Sequence, residues 1–172
     1  MDERRRRFEQ LVVPHLDAAH NLARWLSRAS SDAEDVVQEA LLRAYRAFDG
    51  FRGSDAKPWL LAIVRNCHYT AAAQKHRHRA EPLPGEGEME IAADVADPEA
   101  QAIDSDRARR LNLAIAALPP EFRETLILRE MEDLSYREIA DVTGAPIGTV
   151  MSRLARARSL LRERFQVEEP VA

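Results

Sequence analysis

The apolar positions of this chain recur at helical spacing wherever they are periodic at all. Val37, Leu41, Ala44 and Phe48 fall at i, i+4, i+7 and i+11, which is one stripe of an amphipathic helix. Ser31-Asp32-Ala33-Glu34 stands just before that stripe and reads as a capping box, in which a Ser hydroxyl accepts from the backbone while Glu34 reaches back. Asp49-Gly50 ends the helix, and a short loop from Phe51 to Ala56 follows. A second long helix is expected from about Lys57, with Pro58 tolerated in its first turn, where a backbone N–H has no helical partner. Trp59, Ile63 and Cys67, with Leu60 and Val64 beside them, form its apolar face. Lys75, His76, Arg77, His78 and Arg79 crowd its end, where cations suit the helix dipole. Ahead of both, residues 4–13 and 15–28 carry weaker helical patterns, broken at Pro14.

The second half carries sharper signals. Residues 107–117 read as a short helix that ends before Leu118-Pro119-Pro120. Pro120 suits the first position of the next helix, which turns Phe122, Leu126 and Ile127 inward. Ser135-Tyr136-Arg137-Glu138 is a second capping box, flanked by Leu134 and Ile139 as a hydrophobic staple. That helix stops at Thr143-Gly144-Ala145, and Pro146 restarts the chain as a final helix to about Phe165. Two helices joined by a three-residue turn containing Gly make a helix-turn-helix. Ala140 lies where the helices cross, Gly144 takes the position that favours positive φ, and Val150 packs back into the angle. Ile147, Val150, Leu154, Ala157 and Leu161 share one side of the last helix. Gly148, Thr149, Ser152, Arg153 and Arg156 take the other, and small residues followed by arginines suit a helix end entering a major groove. A helical hairpin with a solvated arginine face is the plainer alternative.

Composition agrees with an all-α chain. Only 6% of residues are aromatic, and six Gly with nine Pro leave little room for a turn-rich β architecture. No apolar run approaches the roughly 18–20 residues that span a bilayer, so no direct membrane insertion is expected. The basic start Arg4-Arg5-Arg6-Arg7 has no apolar stretch behind it, which argues against a secretory signal and for a cytoplasmic protein. The one cysteine rules out a disulfide framework, and Cys67 is expected as a small buried hydrophobe. His68, His76 and His78 are too scattered to make a ligand set, and no metal is expected. No Gly-rich phosphate loop, nucleophile motif or metal-ligand spacing appears, so no enzyme, cofactor or small-molecule substrate is expected.

Charge divides the chain where periodicity does. The net charge is −4, but residues 1–80 carry 14 Lys/Arg against ten Asp/Glu, and residues 107–165 carry 11 against eight. Residues 81–106 hold nine acidic residues and no basic one, interrupted by Pro82, Pro84, Gly85, Gly87 and Pro98. Two small helical domains, 1–80 and 107–165, are therefore expected on either side of an acidic, extended linker, with 166–172 as a tail.

Asp32-Ala33-Glu34-Asp35-Val36-Val37-Gln38-Glu39, followed by Leu42-Arg43-Ala44-Tyr45, closely resembles region 2 of bacterial sigma factors of the extracytoplasmic-function (ECF) type, group 4 of the sigma-70 family. Phe51-Arg52-Gly53, Pro58-Trp59-Leu60 and Ile63-Val64-Arg65-Asn66 are similar to the rest of that region. Leu118-Pro119-Pro120, Arg123, Leu134 to Ala140 and Gly148-Thr149-Val150-Met151-Ser152-Arg153 resemble region 4. The resemblance covers roughly residues 8–79 and 107–165 in the family's order, with no room between them for the region-3 domain of larger sigma factors.

The resemblance implies a subunit that binds RNA polymerase core, at the β′ clamp and the β flap, and directs promoter recognition. It implies polymerase docking by Asp32, Asp35, Gln38, Glu39 and Arg43, where a plain solvated acidic face is the alternative. The −10 promoter element would be opened and held by Lys57, Trp59, Arg65, Asn66 and Tyr69, which offer charge, hydrogen bonds and stacking faces for unpaired bases. For Trp59 a place in the core is at least as good a reading, and Asn66 has no evident packing role. The −35 duplex would meet Gly148, Thr149, Ser152, Arg153 and Arg156. An anti-sigma factor is implied as a further partner.

Two positions depart from the family pattern. Thr70 stands where an acidic residue is frequent, and Met151 where a basic residue often opens the recognition helix, which puts one phosphate or guanine contact in doubt. The rival reading is a homodimeric helix-turn-helix regulator that acts without being a polymerase subunit. It gives no account of the acidic helix ahead of a basic one.

Overall fold

The structure is a computed structural model that describes residues 2–78 and 102–168, without the side chains of 102–104 and 166–168. All regular structure among the described residues is helical: α1 (Glu3–Val12), α2 (Leu16–Leu26), α3 (Ser30–Ala47), α4 (Ala56–His78), α5 (Ala102–Ala116), α6 (Pro120–Leu126), α7 (Tyr136–Thr143) and α8 (Ile147–Glu168). A 3-10 turn at Val13–His15 carries Pro14 between α1 and α2, and another at Phe48–Gly50 closes α3. Helix α5 begins at Ala102, earlier than the 107 expected from the sequence. The rest of the acidic segment, up to residue 101, lies outside the described residues, as does the end of the chain from 169.

In the first half α2, α3 and α4 pack on one another, with α1 laid against α4. The α3 stripe is buried through Val36, Val37, Ala40, Ala44 and Phe48, and Leu60, Leu61, Val64 and Cys67 meet it from α4. Cys67 is 3% exposed and burial pushes its thiol pKa up, as a small core hydrophobe requires. Phe8 packs edge-on against Tyr45 and Phe48 at 5.1 and 5.2 Å, which seats α1 on the end of α3. Arg4 fastens the same corner, donating to the Asp49 carboxylate at 2.8 Å and the Tyr45 carbonyl at 2.6 Å.

The expected capping box at Ser31 does not form. Helix α3 starts at Ser30 behind an extended Ala29, so Ser31 is already inside the first turn. The Asp32 carboxylate is taken by Lys75, near the far end of α4. In the second half the cap forms as expected. Ser135 Oγ accepts from the Glu138 N–H at 3.1 Å, and Glu138 Oε1 accepts from the Ser135 N–H at 3.0 Å. Gly144 closes α7 at φ 71° and its N–H donates to the Ala140 carbonyl at 2.9 Å. Val150, Leu154 and Ala157 of α8 are buried against α6 and α7. Ile147, assigned to the same stripe, is 40% exposed, because it opens the helix ahead of the packed turns.

The two halves meet. Helix α4 packs on α7 and α2 packs on α6, and one continuous set of buried side chains runs through both halves. Helix α6 is short and buried on two sides, with Leu126 facing its own domain's core and Glu124 and Thr125 at 1% and 0% exposure. Glu124 holds its buried charge by accepting from Arg65 Nε at 2.6 Å and from the Tyr69 hydroxyl at 2.7 Å, both on α4. Arg123, its neighbour, donates to the Trp25 carbonyl of α2 and to its own domain's Leu118 carbonyl, each at 3.0 Å. A π-helical turn, Ile127–Met131, follows α6 and delivers Glu132 to a second junction. There Glu132 accepts from Asn21 Nδ2 at 2.8 Å and pairs with Lys57 Nζ at 3.3 Å, while Lys57 also donates to the Glu132 carbonyl at 2.7 Å.

Two outcomes follow from this packing. Gly144→Ala puts a Cβ into a left-handed residue with nothing within 4 Å to strike, so only backbone strain is added. A loss of about 1–2 kcal/mol is expected, read as a lower urea midpoint at unchanged slope. His68, half-buried next to Tyr69, has its pKa held below the ordinary imidazole value by burial, then by Arg123 and Arg65, against an opposite pull from Asp32. The unfolded chain therefore takes up this proton first. The stabilising contribution of the neutral ring is complete above about pH 6.5 and is lost as pH falls below it. Unfolding midpoints measured from about pH 7.5 to 5.5 should fall, and His68→Gln should fall less steeply. Parallel slopes for the two proteins would exclude His68 as the group responsible.

Candidate functional site

Three surfaces hold the residues singled out in the sequence. On α3, Asp35, Gln38, Glu39 and Arg43 all point to solvent, spaced along one face because α3 buries the opposite one. Glu39 and Arg43 pair at 2.8 Å one turn apart, which holds the guanidinium pKa above its ordinary value. Asp32 stands at the start of this face, half-buried and paired with Lys75, so it is less free than the other carboxylates. Leu42 lies on the same helix at 54% exposure, an apolar side chain that entered the sequence reading only as part of a family motif. Its signal was positional only, since Leu42 is out of phase with the buried stripe.

The residues expected at the −10 element divide into three groups. Asn66 is exposed on α4, free of any packing role. Trp59 is half-buried in an aromatic cluster, 5.0 Å from Phe51 and 6.3 Å from Phe48 between ring centroids. Lys57, Arg65 and Tyr69 face the second half of the molecule and are engaged there by Glu132 and Glu124. Arg65 also lies over the Tyr69 ring, 4.7 Å from its centroid, so charge and an aromatic face stand side by side. Burial, and then the Glu124 carboxylate, push the Tyr69 pKa far up, and the phenol stays a protonated donor. Sequence reasoning missed Asn21, Glu124 and Glu132, and read Arg123 only as part of a family motif. A Glu in a short helix carries no mark of burial until its partner from a distant segment is known.

The third surface is the start of α8. Gly148, Ser152 and Arg156 are exposed and Thr149 and Arg153 are half-buried. Ser152 Oγ donates back to the Gly148 carbonyl at 2.9 Å, which leaves its lone pairs outward. Met151, at 49% exposure, sits among them in the first turns. The capped α7 and the Gly144 turn fix the direction from which this helix end projects.

Both halves of the chain have known relatives. Residues 11–78 match the model of sigma-70 region 2, and residues 108–161 match that of sigma-70 region 4. The chain is 35% identical to the ECF RNA polymerase sigma factor SigE of Mycolicibacterium smegmatis over 91% of its own length, spanning 60% of that protein. It is 34% identical to the ECF RNA polymerase sigma-E factor of Escherichia coli K12, over 92% of this chain and 86% of that one. Among solved structures, the sigma factor RpoE of Bartonella quintana in complex with the anti-sigma factor NepR is similar. Its TM-score is 0.74 at 29% identity, covering 94% of this chain and 98% of RpoE. CnrH in complex with the cytosolic domain of CnrY gives 0.65 at 26% identity, covering 96% and 91%. Both halves match in the family's order, on two helical domains of which the second carries a capped helix-turn-helix, and this chain therefore belongs to the ECF RNA polymerase sigma factors.

Proposed function

We propose that the chain acts in the cytoplasm as a dissociable subunit of RNA polymerase that selects promoters and starts transcription, the polymerase supplying the chemistry. The observation that carries this reading is the ordered pair of region matches, each lying on a domain with its own exposed polar face. Region 2 presents Asp35, Gln38, Glu39 and Arg43, with Asp32 at its edge, to the polymerase clamp, and the exposed Leu42 adds apolar area there. Region 4 presents the start of α8 to −35 duplex and docks on the β flap. Lys57, Arg65, Asn66 and Tyr69 take the opened −10 strand by backbone charge and stacking. Trp59 sits behind them as a packing residue.

An anti-sigma factor is a natural further partner, because similar sigma factors are held in such complexes. A homodimeric regulator is the weaker reading. It leaves a whole region-2 domain without a task.

Two sets of variants test the surfaces separately. Arg153→Ala and Arg156→Ala should each weaken −35 binding by about 1–3 kcal/mol, and leave affinity for core polymerase unchanged. Fluorescence anisotropy with −35 duplex and titration with core enzyme read the two effects. Full promoter affinity in both variants would remove α8 from the groove. Asp35→Lys with Glu39→Lys should compete poorly against the parent protein for core polymerase, through like-charge repulsion at the clamp. Helical content should hold, since both side chains are exposed. Normal competition by the double variant would reject the α3 face as the docking surface.

A further inference from the structure

The side chains assigned to the −10 strand are, for the most part, already occupied. Lys57, Arg65 and Tyr69 each bind a carboxylate of the second domain. The two carboxylates come from neighbouring elements: Glu124 lies on α6, and Glu132 follows the π-helical turn. Both are buried, at 1% and 7% exposure, so their charges have no solvent to fall back on. Two arginines stand close to Glu124, with Glu121 a further carboxylate acting on the same phenol. Arg65 meets it directly, Arg123 is desolvated beside it, and the Arg123 Nε is buried without a hydrogen-bond partner. Asn21 of α2 completes the cradle on Glu132.

A carboxylate that accepts from a guanidinium and a phenol offers what a backbone phosphate oxygen offers: negative charge and lone pairs at hydrogen-bond distance. We propose that Glu124 and Glu132 occupy the strand-binding site of region 2 as internal anions, so that region 4 must separate from region 2 before single-stranded DNA can bind. The closed and strand-bound forms are then mutually exclusive, because each needs the same three side chains. The charge pairs themselves add little resistance to opening, which is set by the apolar contact between the halves. Separation returns both members of each pair to water at once, whereas removing one member from the closed form strands its partner as an uncompensated buried charge. The closed form is thus sensitive to either glutamate and still reversible. This inference rests on the −10 assignment given under Proposed function.

Glu124→Gln and Glu132→Gln, made in the full chain and away from every residue assigned to DNA, separate the alternatives. Each leaves its cation without a carboxylate in the closed form and should raise the radius of gyration in small-angle X-ray scattering. Each should also tighten binding of a −10-like single-stranded oligonucleotide to the isolated protein by about tenfold, the equivalent of one charge-assisted contact. Unchanged far-UV circular dichroism identifies opening rather than unfolding, and Glu132→Gln keeps the test alive if Glu124→Gln fails to fold. Oligonucleotide affinity equal to that of the parent protein in a folded variant overturns the proposal. Arg65→Ala, assembled with core polymerase, reports on the −10 assignment alone. Normal promoter opening by that holoenzyme would remove Arg65 from the strand site, while an unaltered radius of gyration in the folded glutamine variants would remove the internal anions.

Discussion

A carboxylate at 1% exposure is the constraint on which the arrangement of this molecule depends. Glu124 cannot be ionised in that position without donors, and the two that reach it, Arg65 and Tyr69, are 59 and 55 residues away along the chain. Their contact therefore fixes α6 against α4, and with α6 come α2, the π-helical turn and Glu132. Apolar burial supplies the bulk of the attraction between the domains but tolerates sliding. Charge pairs with defined donors give the junction its register.

Within each domain the logic is local, which is why so much of it could be read from the sequence. The stripe from Val37 to Phe48, the proline opening α6, the Ser135 cap and the Gly144 turn depend on residues three or four positions apart, and the structure reproduces them. Where local reading failed, a more distant partner or an end effect decided. Ser31 matched the cap pattern, but Lys75 engages Asp32 and α3 starts two residues earlier, behind Ala29. Ile147 had the right phase for the stripe, yet opens a helix whose first turn projects beyond its neighbours.

The candidate site was legible to different depths. The exposed faces of α3 and α8 followed from helix phase, because what is not buried is presented. Trp59 was balanced between core and strand, and in this form it is half-buried and packs on Phe51. The engagement of Lys57, Arg65 and Tyr69 had no local signature. It arises from two glutamates beyond the acidic segment, and nothing in their spacing distinguishes them from surface acids.

The placement of Glu124 also has a consequence for biosynthesis. The region-2 match ends at residue 78, well before Glu124 in the order of synthesis. At elongation rates of about 5–20 residues per second, the 55 residues between Tyr69 and Glu124 take roughly 3–11 s to translate. During that interval the donors on α4 have been made and the Glu124 carboxylate that engages them has not. Each newly made molecule thus passes once through a state that the finished protein regains only by coming apart.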